Sequence, residues 1–221
     1  MHLLPRGKII KEHLDTSRLK MPAALLKMCS NHFSGYLSFE TEDSSGVVCY
    51  TQGKIVAVLW QQNDGRGCGK RLCGELALEM LFRIVQRNKC FMGIYRMADD
   101  FVPYAQHFCH ASVELQGQLV DLVAVERLIA RVQREDFSGC LRLYSADRVV
   151  LIFYTEGKAQ GFYLDGKMGL VTNVDVKKSI VHDKHCLVDI LHTDPVAEQN
   201  YLRAGINLEK TWLKIWRELN M

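Results

Sequence analysis

The sequence predicts an α+β fold: two related units of antiparallel strands with flanking helices, plus a C-terminal helix. Three observations carry that prediction. First, FSGYLSFETEDSSGVVCYTQGKIV, starting at Phe33, returns as FSGCLRLYSADRVVLIFYTEGKAQ, starting at Phe137. Phe33 to Phe137, Tyr50 to Tyr154 and Gly53 to Gly157 are each 104 residues apart (137 − 33 = 104), so the two stretches align without a gap. Second, each copy carries three short β-rich runs separated by turn sequences, the pattern of a strand meander. Third, Leu72, Leu76, Met80 and Ile84 recur at spacing four, with Ala77, Leu81 and Val85 widening the stripe, which makes an amphipathic helix.

The elements follow in chain order. Thr16 or Ser17 caps a helix over 19–29, and Pro22 falls in its first turn, where a missing N–H is harmless. Leu37 and Phe39 alternate with polar neighbours in a strand over 36–41. Asp43-Ser44-Ser45-Gly46 turns the chain, and strands over 47–50 and 55–60 flank Thr51-Gln52-Gly53-Lys54. A glycine in so tight a connection supplies φ > 0, which explains Gly53 and its counterpart Gly157. Gly35 and Gly139 are read as structural turn glycines as well. The amphipathic helix over 72–87 and a strand over 90–97 complete a first unit, 1–97. The segment 98–111, with Asp99, Asp100 and Pro103, reads as a linker. The second unit, 112–193, opens with a long helix over 112–134 through Leu115, Leu119, Leu122, Val125, Ile129 and Val132. Strands over 141–144, 149–154, 159–164 and 186–191 follow, with the second helix shortened or missing. Asp194-Pro195 then starts a C-terminal amphipathic helix within 194–221.

The strand order and the residues Gly35, Leu37, Gly53, Lys54, Ile55, Val56 and Ala57, followed by Gly74-Glu75-Leu76-Ala77, resemble the PATAN-type domain and a related bacterial domain of unknown function. The second copy matches at Gly139, Leu141, Gly157 and Lys158 and departs after Leu164. The resemblance covers 19–97 and, less closely, 123–164. It implies a non-catalytic role in bacterial signalling or motility regulation. The receiver domain to which such units are usually fused is not visible in the sequence.

Composition narrows the function classes. Apolar residues make up 48% of the 221 and charged residues 24%, ordinary for a globular chain. A net charge of +3, from 28 basic and 25 acidic side chains, is too balanced for a nucleic-acid surface. No apolar run reaches the roughly 18 residues of a membrane helix, and the N-terminus lacks a signal-peptide core. The chain is expected to be soluble and cytoplasmic. Its eight cysteines are then reduced, and Cys29, Cys49, Cys90, Cys140 and Cys186 read as small buried hydrophobes.

Candidate chemistry is sparse. The loop NDGRGCGKRLCGE places Gly67, Cys68, Gly69 and Lys70 before a helix, as an anion cradle or a thiol site would. A phosphate loop of the G-x-x-x-x-G-K-[ST] type would need glycine at Asp64 and Ser or Thr at Arg71, so a flexible connection is the better reading. His107, Cys109 and His110, and separately His182, His185, Cys186 and His192, form two His/Cys clusters with poor zinc spacing. In the tail, Leu208, Ile215 and Leu219 read first as a helix packing to close the domain, and together with Trp212 and Trp216, one turn apart, they form a candidate interface. The expected function is a non-enzymatic cytoplasmic protein-interaction module with no metal and no cofactor. Its partner would be a protein, not nucleic acid, and a homodimer contact is one natural use of a duplicated unit. The alternative is a small-ligand or metal-binding regulatory protein using the Gly-rich loop or the His/Cys clusters.

Overall fold

The computed structural model describes residues 2–63, 69–87, 89–123, 125–172, 180–183, 185–193 and 206–220. The first unit holds β1 (Lys8–Asp15), α1 (Met21–Ser30), β2 (Gly35–Glu40), β3 (Ser44–Thr51), β4 (Lys54–Gln62), β5 (Arg71–Cys73), α2 (Gly74–Arg87) and β6 (Phe91–Arg96). Helix α3 (Val102–His110) joins it to the second unit: β7 (Ser112–Leu119), the one-turn α4 (Val120–Val123), α5 (Val125–Arg134), β8 (Gly139–Tyr144), β9 (Val149–Thr155), β10 (Lys158–Leu164) and β11 (Leu187–His192). Helix α6 (Leu208–Asn220) ends the chain. Both sheets are antiparallel, in the orders β1-β6-β2-β3-β4-β5 and β7-β11-β8-β9-β10. Strand for strand the two orders are the same, with β5 as the first unit's addition. The starts of β7, α5 and β8 lie 104 residues after those of β1, α1 and β2 (112 − 8, 125 − 21, 139 − 35).

The repeated motif is one corner built twice. After α1, Phe33 N–H donates to the Met28 carbonyl (3.1 Å) and Gly53 N–H donates to the Phe33 carbonyl (2.9 Å). In the second unit Phe137 N–H donates to Val132 (3.1 Å) and Gly157 N–H to Phe137 (2.9 Å). Ser34 Oγ accepts from Gln52 N–H (2.9 Å), and Ser138 Oγ from Glu156 N–H (3.0 Å). The Phe33 and Tyr50 rings meet edge-on at 5.9 Å, and Phe137 and Tyr154 at 6.0 Å. The motif letters are therefore the parts of a clasp: an aromatic pair, a serine acceptor and a turn glycine. Gly53 (φ 79°) and Gly157 (φ 71°) occupy the left-handed region, and an added Cβ would press on the Cys29 and Gln133 carbonyl oxygens at the ends of α1 and α5. Gly35 and Gly139 are not turn glycines: each opens a strand, where a Cβ would strike the Tyr95 or Leu191 carbonyl oxygen of the neighbouring strand.

Alternation places the inner strands of each sheet between two cores. In the first sheet Tyr36, Val47, Cys49, Ala57, Leu59 and Tyr95 face inward, and in the second Cys140, Leu151, Phe153, Tyr163 and Leu191 do the same. These equivalent faces share one core, the isologous pattern of a symmetric pair. Leu37, Phe39, Val48, Tyr50 and Val58 face α1, α2 and α6 on the outside of the first sheet. Leu128, Val132, Leu141, Leu143 and Val188 form the separate outer core of the second.

Three readings of the sequence are corrected. The segment 98–111 is no open linker: α3 inserts between the sheets, with Phe101, Ala105, Phe108 and Cys109 buried and the Phe101 ring 3.8 Å from Tyr163. The stretch 112–134 is not one helix. Its first eight residues form edge strand β7, because pairing with β11 outweighs the helical spacing of Leu115, Leu119 and Leu122. Gly117, at φ 65° where a helix would suffer, was the overlooked signal. Strand β1, the counterpart of β7, was not anticipated at all. The tail returns from the second unit to cover the first. Asn207 Oδ1 caps α6 by accepting from Lys210 N–H (2.9 Å), Leu208 and Ile215 are buried beside α1 and α2, and Trp212 meets Phe82 edge-on at 5.0 Å. Arg83–Glu218 and Lys214–Glu79 ion pairs flank that contact. Of the candidate interface, Leu208 and Ile215 thus serve the protein's own core, Trp212 and Leu219 are half-buried, and Trp216 is 50% exposed. The Asp194-Pro195 helix start lies outside the described residues.

Gly53→Val and Gly157→Val should each destabilise the protein by about 1–3 kcal/mol, because a β-branched side chain is strained at positive φ. Gly53→Val is expected to be the worse, having the tighter carbonyl in its way. Urea midpoints that do not move in either variant would refute the shared clasp.

Candidate functional site

The two units part company at one register position. In the second, Arg142 on β8 faces Asp189 on β11. Arg142 Nη1 donates to Asp189 Oδ2 (2.8 Å) and Nη2 to the His2 carbonyl (2.8 Å), while the guanidinium lies 4.0 Å from the Tyr144 ring centroid. Asp189 Oδ1 also accepts from Gly117 N–H (2.8 Å) and Tyr144 O–H (3.2 Å). Both side chains are sealed from solvent, at 0% and 1% exposure. A cation so deep needs its anion, and the anion its donors.

In the first unit the facing pair is Ser38 and Gly93. Subtracting the repeat (142 − 104 = 38) confirms that Ser38 stands where the second unit has Arg142. The charge is gone, both residues are buried with the Tyr95 ring packed over Gly93, and a cavity of about 820 Å³ borders them. Tyr95 covers part of the space, stacked on Tyr36 at 4.8 Å and donating from its hydroxyl to Glu12 Oε1 (2.7 Å). Glu40 pairs with His2 Nδ1 at 2.6 Å. Burial raises the Glu40 pKa, but the His2 hydrogen bond and charge outweigh it and hold the carboxyl below its usual value. Burial, then the bond to Glu12, pushes the Tyr95 hydroxyl well up, so it stays a donor. Glu42 and Asp43 add two more carboxylates to the lining, against Arg87 and Lys89. Leaving its two histidines out of the count, the cavity is lined by four carboxylates against two basic side chains.

The residues singled out from sequence lie elsewhere. Gly67 and Cys68 are outside the described residues. Gly69 and Lys70 bring the chain back to β4, where Gln62 N–H donates to the Lys70 carbonyl (2.9 Å). Arg71 then reaches across to the Phe108 carbonyl and lies 4.9 Å from the Phe108 ring. His107, Cys109 and His110 belong to α3, with Cys109 in the shared core. His192 pairs instead with Glu114 (2.5 Å) and meets the Phe137 ring at 4.7 Å, and Cys186 is buried, its thiol pushed up to about 11 by burial. His185 is exposed, and the side chain of His182 is outside what the structure describes. Among the described residues no group of three or more His, Cys, Asp or Glu is placed to hold a metal ion. The cavity carboxylates were missed because neither the F-S-G nor the Y-T-x-G-K motif contains them. Comparing the copies column by column, with Arg142 against Ser38, was the signal that could have found them.

One family model matches the chain, over residues 2–106: an uncharacterized protein family conserved in archaea, DUF2226. The match spans a little under half of the chain and covers the first unit and the first half of α3. It overturns the resemblance to the PATAN-type domain and the bacterial assignment that came with it. The matching glycines and apolar positions mark turns, close strand approaches and core faces, which many unrelated sheets need, so they did not carry lineage. No curated protein matches the chain. No described helix is long and apolar enough to cross a membrane.

Two tests follow from these environments. Arg142→Met strands the Asp189 carboxylate and should destabilise by about 3–5 kcal/mol, with Arg142→Met/Asp189→Leu recovering part of the loss in urea unfolding. A single variant as stable as the parent would show that the pair is not buried. Burial, aided by the Arg71 and His107 charges, lowers the His110 pKa from its ordinary 6.5 to about 4. The unfolded chain therefore binds this proton first, so stability falls as pH drops from about 6.5 to 4 and is level below that. His110→Gln should flatten that part of the stability–pH curve, and an unchanged slope would contradict the burial.

Proposed function

We propose that the protein is a non-enzymatic interaction module of the cytoplasm, recognising a protein partner through the cavity of its first unit. The single observation that carries this reading is the divergence at Ser38–Gly93 against Arg142–Asp189. The second unit shows how this fold closes the position when it needs only stability. The first has small residues there and borders them with a cavity lined by acidic and basic side chains, an arrangement that suits recognition. The two best-placed carboxylates are already engaged, Glu12 by Tyr95 and Glu40 by His2, which favours binding over acid–base chemistry. Cys29, Cys49, Cys90, Cys109, Cys140 and Cys186 are thiols, in keeping with a reducing compartment. A second reading, a small-ligand regulatory protein, draws on the cavity volume of about 820 Å³, within the usual range for ligand pockets. It uses this cavity, not the Gly-rich loop.

Affinity capture from the source cell separates the readings. A protein held by the parent and by Trp216→Ala, but released by Ser38→Arg, is the expected result. Release by Trp216→Ala alone would move the contact to α6 and overturn the cavity as its seat. A small molecule seen in the native mass spectrum of the parent and lost from Ser38→Arg would favour the second reading.

A further inference from the structure

We propose that the first unit's cavity receives the guanidinium of an arginine side chain, delivered by an extended segment of a partner polypeptide that pairs along β1. The inference rests on the interaction-module reading and names the chemistry of the partner.

The protein itself shows what this position accepts. Arg142 occupies it in the second unit, held by a carboxylate, a main-chain carbonyl and the face of a tyrosine. Those are the three contacts a planar guanidinium makes best. The first unit has the same strand register, lacks the cation and surrounds the gap with the complementary groups. Glu12 and Glu40 keep acceptor capacity beyond their contacts with Tyr95 and His2, and the Phe91 ring, 37% accessible, supplies an aromatic face beside Gly93. Lys89 already lies 5.3 Å from the Phe91 ring, so that face tolerates a cation. The surplus of two carboxylates favours a positive ligand over a neutral or anionic one. Glycine at 93 in place of Asp189 admits the Tyr95 ring, which forms a wall of the cavity that receives the incoming group.

An arginine on a polypeptide fits better than a free one. The cavity opens beside β1 through Glu12 and His13, and β1 is the edge of the six-stranded sheet. Its burial pattern is exposed along most of its length, with Ile9 52% and Ile10 44% accessible. An edge strand with exposed apolar side chains is a template for main-chain pairing. A segment paired there would place alternate side chains over the inward face, where Ser38 and Gly93 lie.

The test uses the full chain and three probes: a blocked peptide Thr-Val-Arg-Val-Thr, the same peptide with citrulline for arginine, and free argininamide. The arginine peptide should bind saturably and shift the backbone amide signals of β1 and of Gly93. Citrulline keeps the shape and loses the charge, and should bind about tenfold more weakly or worse, the weight of a charge-assisted hydrogen bond. Ser38→Arg should abolish binding by filling its own cavity, and Glu12→Gln should weaken it while retaining the parent's melting temperature. If Ser38→Arg does not fold, Glu12→Gln/Glu42→Gln decides in its place. Equal affinity for citrulline overturns the guanidinium. Argininamide binding as tightly as the peptide overturns the polypeptide source. Peptide shifts unaffected by the cavity variants, or no binding at all, overturn the site. Cavity-dependent partner capture with a charge-blind peptide response would sink this proposal and leave the interaction module standing. Loss of both sinks that reading as well.

Discussion

Everything in this molecule depends on one shared core between two sheets that are apolar on both faces. A sheet of this kind cannot stand with either face in water. The outer faces are covered by helices, and the inner faces are covered by each other, with α3 and the N-terminal Leu3 and Leu4 filling the space between them. The helix joining the units is therefore a structural wedge, and its burial ties the stability of each unit to the other.

That arrangement explains the unequal fate of the copies. Placing equivalent faces together gives two positions of equal register and unequal surroundings. In one, the His2 carbonyl and Tyr144 close around Arg142, and the charge is neutralised in place by Asp189. In the other, the Tyr95 ring packs over Gly93 beside a buried Ser38, so no buried cation is required. A cavity borders these small residues, and of the carboxylates around it Glu12 accepts from Tyr95 and Glu40 pairs with His2. Duplication supplied the scaffold twice, which freed one copy to be sealed and the other to be accessible.

Helix α6 adds a second kind of asymmetry. It follows the second unit in sequence and packs on the first, beside α1 and α2. Ile129, the counterpart of Leu25 by the same 104-residue offset (129 − 104 = 25), is 38% exposed where Leu25 is 1%. The outer helical layers thus differ in depth, although the sheets beneath them repeat strand for strand.

The sequence by itself determined the duplication, the three-stranded meanders, the turn glycines Gly53 and Gly157, and the amphipathic character of α2 and α6. These are local properties, written in spacing and in the φ a residue can adopt. Strands β1 and β7, the burial of α3 and the return of α6 were decided only by tertiary structure. Edge strands take their identity from a partner strand far along the chain, and β7 pairs with β11 some seventy residues later. A helix with two buried sides looks like a short mixed linker until both sheets are present. The candidate site was legible only in part for the same reason. Arg142 and Ser38 could be aligned from the repeat, but whether that column was sealed or open depended on Asp189, Tyr144 and His2 in one unit and on Tyr95, Glu12 and Glu40 in the other. Those contacts join residues distant in sequence, and no periodicity records them.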